Sequence, residues 1–126
     1  TRDVHDALKR RCLFHWIDYP DLEKELKIIQ ARVPGIDEPL AHQVAIFMQN
    51  IRREHLMKKP GRSESLDWAE ALLQLNRNFL SEETVEKTLG CILKYHEDIQ
   101  KFRNDIWANP DRRTQFLSES SDRHAP

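Results

Sequence analysis

The chain has 126 residues, a third of them charged, and its cations and anions nearly cancel to a formal charge of −1 at pH 7. That length suits one domain able to bury a real core, and the balanced charge makes no electrostatic case for nucleic acid as a partner. No apolar run is long enough to span a bilayer, and no signal-peptide pattern opens the sequence.

Residues 1–6 read as a polar loop leading into a short helical phrase that ends in Lys9, Arg10 and Arg11. The run from Cys12 to Asp18, CLFHWID, places Phe14 and Trp16 at alternate positions and reads as a strand. Everything downstream reads as helix, so this strand lacks a partner for its edges. It is expected to belong to a sheet whose other strands lie upstream of Thr1, which makes the chain a fragment. Pro20 ends the strand and seeds a first helix. Leu22, Leu26, Ile29 and Val33 recur on one face of that helix, and Pro34-Gly35 stops it.

A second helix is predicted from Asp37, whose carboxylate suits an N-cap, with the stripe Leu40, Val44, Phe47, Met48 and Ile51. Arg52, Arg53, His55, Lys58 and Lys59 read as a solvated basic helix end. Lys59-Pro60-Gly61 breaks the helix, and a third begins at Ser63 or Ser65. Leu66, Trp68, Ala69, Ala71, Leu72, Leu73 and Leu75 surround this helix almost completely, which predicts a central position. Ser81 caps a fourth helix with the stripe Val85, Leu89, Ile92, His96 and Ile99. Gly90 inside it implies close packing by a neighbour. Beyond Phe102, Ile106, Trp107, Phe116 and Leu117 stand isolated in polar sequence, and residues 118–126 read as a frayed tail.

The two cysteines, Cys12 and Cys91, sit in apolar settings and read as reduced buried thiols, which fits a cytoplasmic protein. None of the six histidines has the spacing of a metal site. No G-x-x-x-x-G-K-[ST] phosphate loop occurs, so the chain is not expected to hydrolyse ATP alone.

ALKRRCLFHWIDYPD, from Ala7 to Asp21, resembles the segment that follows sensor 1 in AAA+ ATPases of the MoxR type. KELKIIQARVPGIDE resembles the first helix of that family's lid with its Val-Pro-Gly turn. KKPGRSESLDWAEALL and TLGCILKYHEDI resemble later lid segments, so the resemblance covers roughly residues 7–99. It is nearest to the branch encoded beside von Willebrand factor A-type proteins and carbon monoxide dehydrogenase maturation factors.

By composition, the basic triplet is a helix C-terminus with cations against its dipole. The resemblance instead places Arg11 on the family's arginine finger, with Arg10 as the alternative. A rigid guanidinium supplied by a neighbouring subunit stabilises charge building on a transferred phosphoryl group, by roughly 10³–10⁵ in rate. The family's sensor 2 arginine ends a G-x-S-P-R turn. Here the turn reads Gly61-Arg62-Ser63-Glu64-Ser65, so Glu64 stands at the proline position and Ser65 at the arginine position. Arg62 is the candidate substitute. The free N–H groups of a helix start around Ser63 suit an anion, whereas Glu64 opposes one. An ordinary capped helix start explains the same residues.

The expected fold class is all-α, a helical-bundle AAA+ lid. Residues 1–19 would close the ATPase core with the finger segment and its orphan strand, 20–102 would form the lid, and 103–126 a polar tail. The resemblance implies a ring-forming ATPase that binds ATP and Mg and remodels or matures a partner enzyme. Its neighbours would be other ATPase subunits, a von Willebrand factor A-type protein and a client metalloenzyme. The competing reading is a free-standing helical adaptor that binds a partner protein through an apolar groove, without nucleotide chemistry.

Overall fold

A computed structural model describes residues 20–117. The expected strand at Cys12–Asp18, the Arg10-Arg11 segment and the expected frayed tail at 118–126 lie outside the described residues. Among the described residues there are six α-helices, which is the all-α class expected of a lid: α1 (Leu22–Arg32), α2 (Glu38–Ile51), α3 (Arg62–Gln74), α4 (Glu82–Thr88), α5 (His96–Lys101) and α6 (Pro110–Leu117). A 3-10 turn (Leu89–Cys91) extends α4, and a π-helical turn (Phe102–Trp107) extends α5.

The helix boundaries follow from local chemistry. Asp21 takes the N-cap of α1, its carboxylate accepting the Lys24 N–H at 2.8 Å. Pro20 precedes this cap and does not occupy the first turn. The Val33–Ile36 turn after α1 closes through the Ile36 N–H and the Val33 carbonyl at 3.3 Å, with Gly35 at φ +95° behind Pro34. Proline at the second position and a positive φ at the third are what a type II turn demands. Asp37 occupies the N-cap of α2 as expected, but its side chain makes no capping bond. The start of α3 lies earlier than Ser63: Gly61 is the N-cap, and Glu64 reaches back to its N–H at 2.8 Å. Asn76 at φ +59° ends α3, with Arg77 N–H on the Leu72 carbonyl and Asn76 N–H on the Leu73 carbonyl. This is the Schellman pattern with Asn in the left-handed position. Ser81 caps α4 by accepting the Thr84 N–H.

The central helix is α2, which packs against α1, α3 and α6. Leu40, Val44, Phe47, Met48 and Ile51 are fully buried as the periodicity predicts, and Ala41, Ala45 and Ile46 are buried beside them. The expectation that α3 is central is corrected. It buries one face through Ser65, Trp68, Ala69 and Leu72, while Leu66 and Leu73 are half-buried and Leu75 is exposed.

The expected fourth helix is also broken in two. Val85, Leu89, Ile92 and Leu93 are buried, but His96 is exposed and starts a separate helix. Gly90 is exposed, and a Cβ placed there would meet nothing within 4 Å, so close packing does not explain it. In the first turn of the new helix Asp98 is a buried carboxylate that accepts the Met57 and Lys58 N–H groups at 2.8 and 3.1 Å. Those bonds tie the loop after α2 to the first turn of α5.

The largest correction concerns residues 103–117. Ile106, Trp107 and Phe116 are buried in the core, not part of a polar tail. In the π turn, bonds run from residue i to i+5, as in Ala108 N–H to Arg103 carbonyl at 2.9 Å. Residues five apart therefore lie on the same side, and Phe102 stacks on Trp107 with centroids 5.1 Å apart. Phe47 sits among the other rings, 4.9 Å from Trp68, 5.1 Å from Phe116 and 5.8 Å from Phe102, the first two edge-on. Such edge-to-face contacts add to the stabilisation from burial itself.

Phe116→Ala is expected to destabilise the fold by about 3–5 kcal/mol in urea unfolding, the range for truncating a buried aromatic. A loss within ~0.5 kcal/mol, as for a surface substitution, would return residues 103–117 to the status of a tail.

Candidate functional site

The candidate residues within the described part of the chain gather at the start of α3. Lys59-Pro60-Gly61 turns the chain, and the first helical turn then carries Arg62, Ser63, Glu64 and Ser65. One turn of helix presents these four side chains in different directions. Arg62 and Ser63 are exposed, Glu64 is half-buried on the Gly61 N–H, and Ser65 is fully buried. The outward side thus offers a guanidinium, a hydroxyl and the positive end of a helix dipole.

The inward side is built differently. The Ser65 hydroxyl donates to Glu25 Oε2 at 2.6 Å and accepts from Arg52 Nη2 at 3.0 Å. Arg52 clasps the Glu25 carboxylate with both terminal nitrogens, Nη1 to Oε1 at 2.8 Å and Nη2 to Oε2 at 2.7 Å. Its Nε donates to the Pro60 carbonyl at 2.8 Å. The Gln49 amide donates to both Glu25 Oε1 and the Pro20 carbonyl at 2.9 Å. Glu25 and Arg52 are both buried, 1% and 6% exposed. Among the described residues every buried side-chain nitrogen and oxygen has a hydrogen-bond partner, the condition under which a buried ion pair is tolerable.

Arg52 is therefore not part of a solvated basic helix end, as its neighbours Arg53, His55, Lys58 and Lys59 are. Helix periodicity had no means of finding its partner, because Glu25 lies on the other side of a turn and reads as an ordinary polar residue in an amphipathic helix. The one local signal is that Glu25 falls between Leu22, Leu26 and Ile29, on the edge of the apolar face of α1. Ser65, expected at the phosphate-reading position, has its hydroxyl committed to this pair. The structure brings Arg62 and Ser63 together at the surface and sets Ser65 apart from them in the interior.

Elsewhere, an open cavity of about 500 Å³ is lined by Glu82, Glu83, Glu86, Arg103, Trp107 and Arg113. Its charges are spent on one another or on neighbours: Arg103 pairs with Glu86, Arg113 with Glu82, and Lys87 with Glu83. The Lys87 ammonium holds the Glu83 carboxyl below the usual carboxylate range. Cys91 is a free, half-buried thiol, pushed up in pKa by burial and by Asp67 and drawn back in part by Lys94. Among the described residues no cluster of three His, Cys, Asp or Glu side chains could hold a metal ion, and no helix is long and apolar enough to cross a membrane.

The buried pair separates two kinds of substitution. Arg52→Ala strands the Glu25 carboxylate without its main partner and is expected to cost about 3–5 kcal/mol. Ser65→Ala removes one hydroxyl from a carboxylate that keeps its guanidinium, and is expected to cost about 1–3 kcal/mol. Urea unfolding of both variants checks the order, and equal losses would mean that Ser65 is as central to the network as Arg52.

Comparison with known proteins gives a distant relation. No family model matches the chain, and no solved structure matches it. The chain is similar to the gas vesicle ATPase GvpN of Haloferax mediterranei, at 27% identity over 111 residues. The match covers 86% of the chain but 31% of that protein, so the chain spans about a third of the length of the curated relative. This similarity supports a distant relation to an AAA+ ATPase, in keeping with an all-helical lid-like fold, and does not select a branch of the family.

Proposed function

We propose that the chain is the lid segment of a MoxR-type AAA+ ATPase that uses ATP hydrolysis to remodel or mature partner enzymes. The observation that carries this reading is the similarity to a protein named as an ATPase, which runs through 86% of the chain. The helical fold supports it, as does the Pro60-Gly61 turn that presents the start of α3 to solvent.

In this reading the lid closes over nucleotide held by a core that carries the phosphate loop and Mg. The chain's own contribution at the phosphates is the exposed Arg62 guanidinium with the N-terminus of α3 at Ser63, a donor set that fits an anion. Glu64, beside them, spends one oxygen on the Gly61 N–H and is the unfavourable neighbour. Ser65 contributes from behind through Glu25 and Arg52 rather than by touching nucleotide. Arg11, or else Arg10, acts as the finger on the nucleotide of the adjacent subunit in a ring. A von Willebrand factor A-type protein and a client metalloenzyme are the partners of the proposed branch, and the cytoplasm is its compartment.

Two substitutions in the full-length gene product test this. Arg11→Ala is expected to lower the ATPase rate at least ~10²-fold while leaving nucleotide binding by the same subunit unchanged. Mixing it with subunits that lack the phosphate-loop lysine should restore part of the activity, because a mixed interface contains one intact site. Arg62→Ala is expected to weaken ATP binding about 10-fold, as loss of a charge-assisted contact does. Full activity in Arg11→Ala would remove Arg11 from the site and leave Arg10 as the remaining candidate, and a full-length protein that neither binds nor hydrolyses ATP would reject the proposal.

A further inference from the structure

We infer that Glu25, Arg52 and Gln49 are positioning residues: they fix the start of α3 against the point where the chain enters the helical domain. The inference rests on the proposal that α3 faces nucleotide, but the geometry behind it stands by itself. An unbroken series of directional bonds runs from the Pro20 carbonyl to the Gln49 amide, the Glu25 carboxylate, the Arg52 guanidinium and the Pro60 carbonyl. Ser65 closes it on α3 by bonding both Glu25 and Arg52. Its two ends are the residues just before the α1 cap and just before the α3 cap.

Packing alone does not impose this. Apolar contacts between α1, α2 and α3 tolerate small rotations and slides, because burial is non-directional. A bidentate guanidinium–carboxylate pair does not, since both nitrogens must meet both oxygens in one plane. The Nε bond to Pro60 extends that plane to the turn that launches α3. Glu64 then caps Gly61, so the orientation of the first α3 turn, with Arg62 and Ser63 on its outer side, follows from the pair beneath it. Movement of the chain at Pro20 is thereby transmitted to Arg62 and Ser63 as a rigid unit. In the proposed ATPase this links the core segment that precedes Pro20 to the lid's phosphate-facing residues.

The discriminating variant is one that keeps the interior filled but removes the directional bonds: Glu25→Met, Arg52→Met and Ser65→Ala together. Apolar replacement of a buried ion pair is often neutral or stabilising, so the melting temperature of the full-length protein is expected to stay within ~5 °C of wild type. ATP affinity is nevertheless expected to fall about 10-fold, and amide exchange at Ser65 and Leu66 to quicken about 10-fold while the middle of α2 is unchanged. Ser65→Ala alone, which removes the link on α3 and leaves the Glu25–Arg52 pair intact, serves if the triple variant does not fold, and should show a smaller change of the same kind.

A stable triple variant with wild-type exchange at α3 and wild-type ATP affinity would overturn the inference and leave the pair a purely structural element. Faster exchange across all of α1 to α3 would do the same, since it reports general loosening. Failure of the lid proposal is visible separately, as absence of ATP binding in the wild-type protein, and the exchange measurement still decides whether the pair positions α3.

Discussion

Glu25 and Arg52 lie deep between α1, α2 and α3, and their burial sets the terms on which these helices can meet. Removing each charge from water costs several kcal/mol even after relaxation, and only close, well-aligned partners offset it. The structure supplies them from separate elements: the carboxylate from α1, the guanidinium and Gln49 from the end of α2, Ser65 from α3, and the carbonyls of Pro20 and Pro60 from the flanking turns. Shifting any one helix along its axis would leave a buried charge short of a partner. The pair therefore contributes more to the uniqueness of the arrangement than to its depth in free energy.

The rest of the fold is held by a different kind of contact. Phe47, on the far side of α2's apolar stripe, gathers Trp68, Phe102, Trp107 and Phe116 from α3, the π turn and α6. Trp68 is additionally anchored by its indole N–H on the Thr88 hydroxyl at 2.7 Å, and the Thr88 hydroxyl in turn donates a hydrogen bond to the Thr84 carbonyl. A second buried carboxylate, Asp98, is satisfied by two backbone N–H groups rather than by a cation. Helix α2 belongs to both systems, the ion pair at its C-terminal end and the aromatic cluster in its middle. That double duty explains why it, and not α3, sits at the centre.

At the start of α3 the two faces of one helical turn serve separate purposes. Arg62 and Ser63 look out at solvent, while Ser65 looks in at the ion pair. A serine can do this where an arginine could not, because the space beneath α3 is already filled by the Arg52 guanidinium.

What the sequence determined by itself was whatever depends on near neighbours in the chain. The apolar stripes of α1 and α2, the Pro34-Gly35 turn and the Ser81 cap all follow from side chains acting within about one helical turn, and they stand in the structure as read. The all-α class follows from the same periodicities. What only the tertiary structure decided depends on partners far apart in sequence. Glu25 and Arg52 meet across 27 residues, Asp98 reaches back 40 residues to the Lys58 N–H, and neither spacing carries a local mark. The helix expected through Gly90 gives way to a 3-10 turn and a new helix at His96, whose first turn is tied by Asp98 to a distant loop. Trp107 and Phe116 read as stray residues because their register is that of a π turn and a long-range cluster, not of an α-helix. The chemistry of each residue was written in the sequence, but the choice of partner required the fold, since burial converts an ordinary surface charge into one that must find its counter-ion.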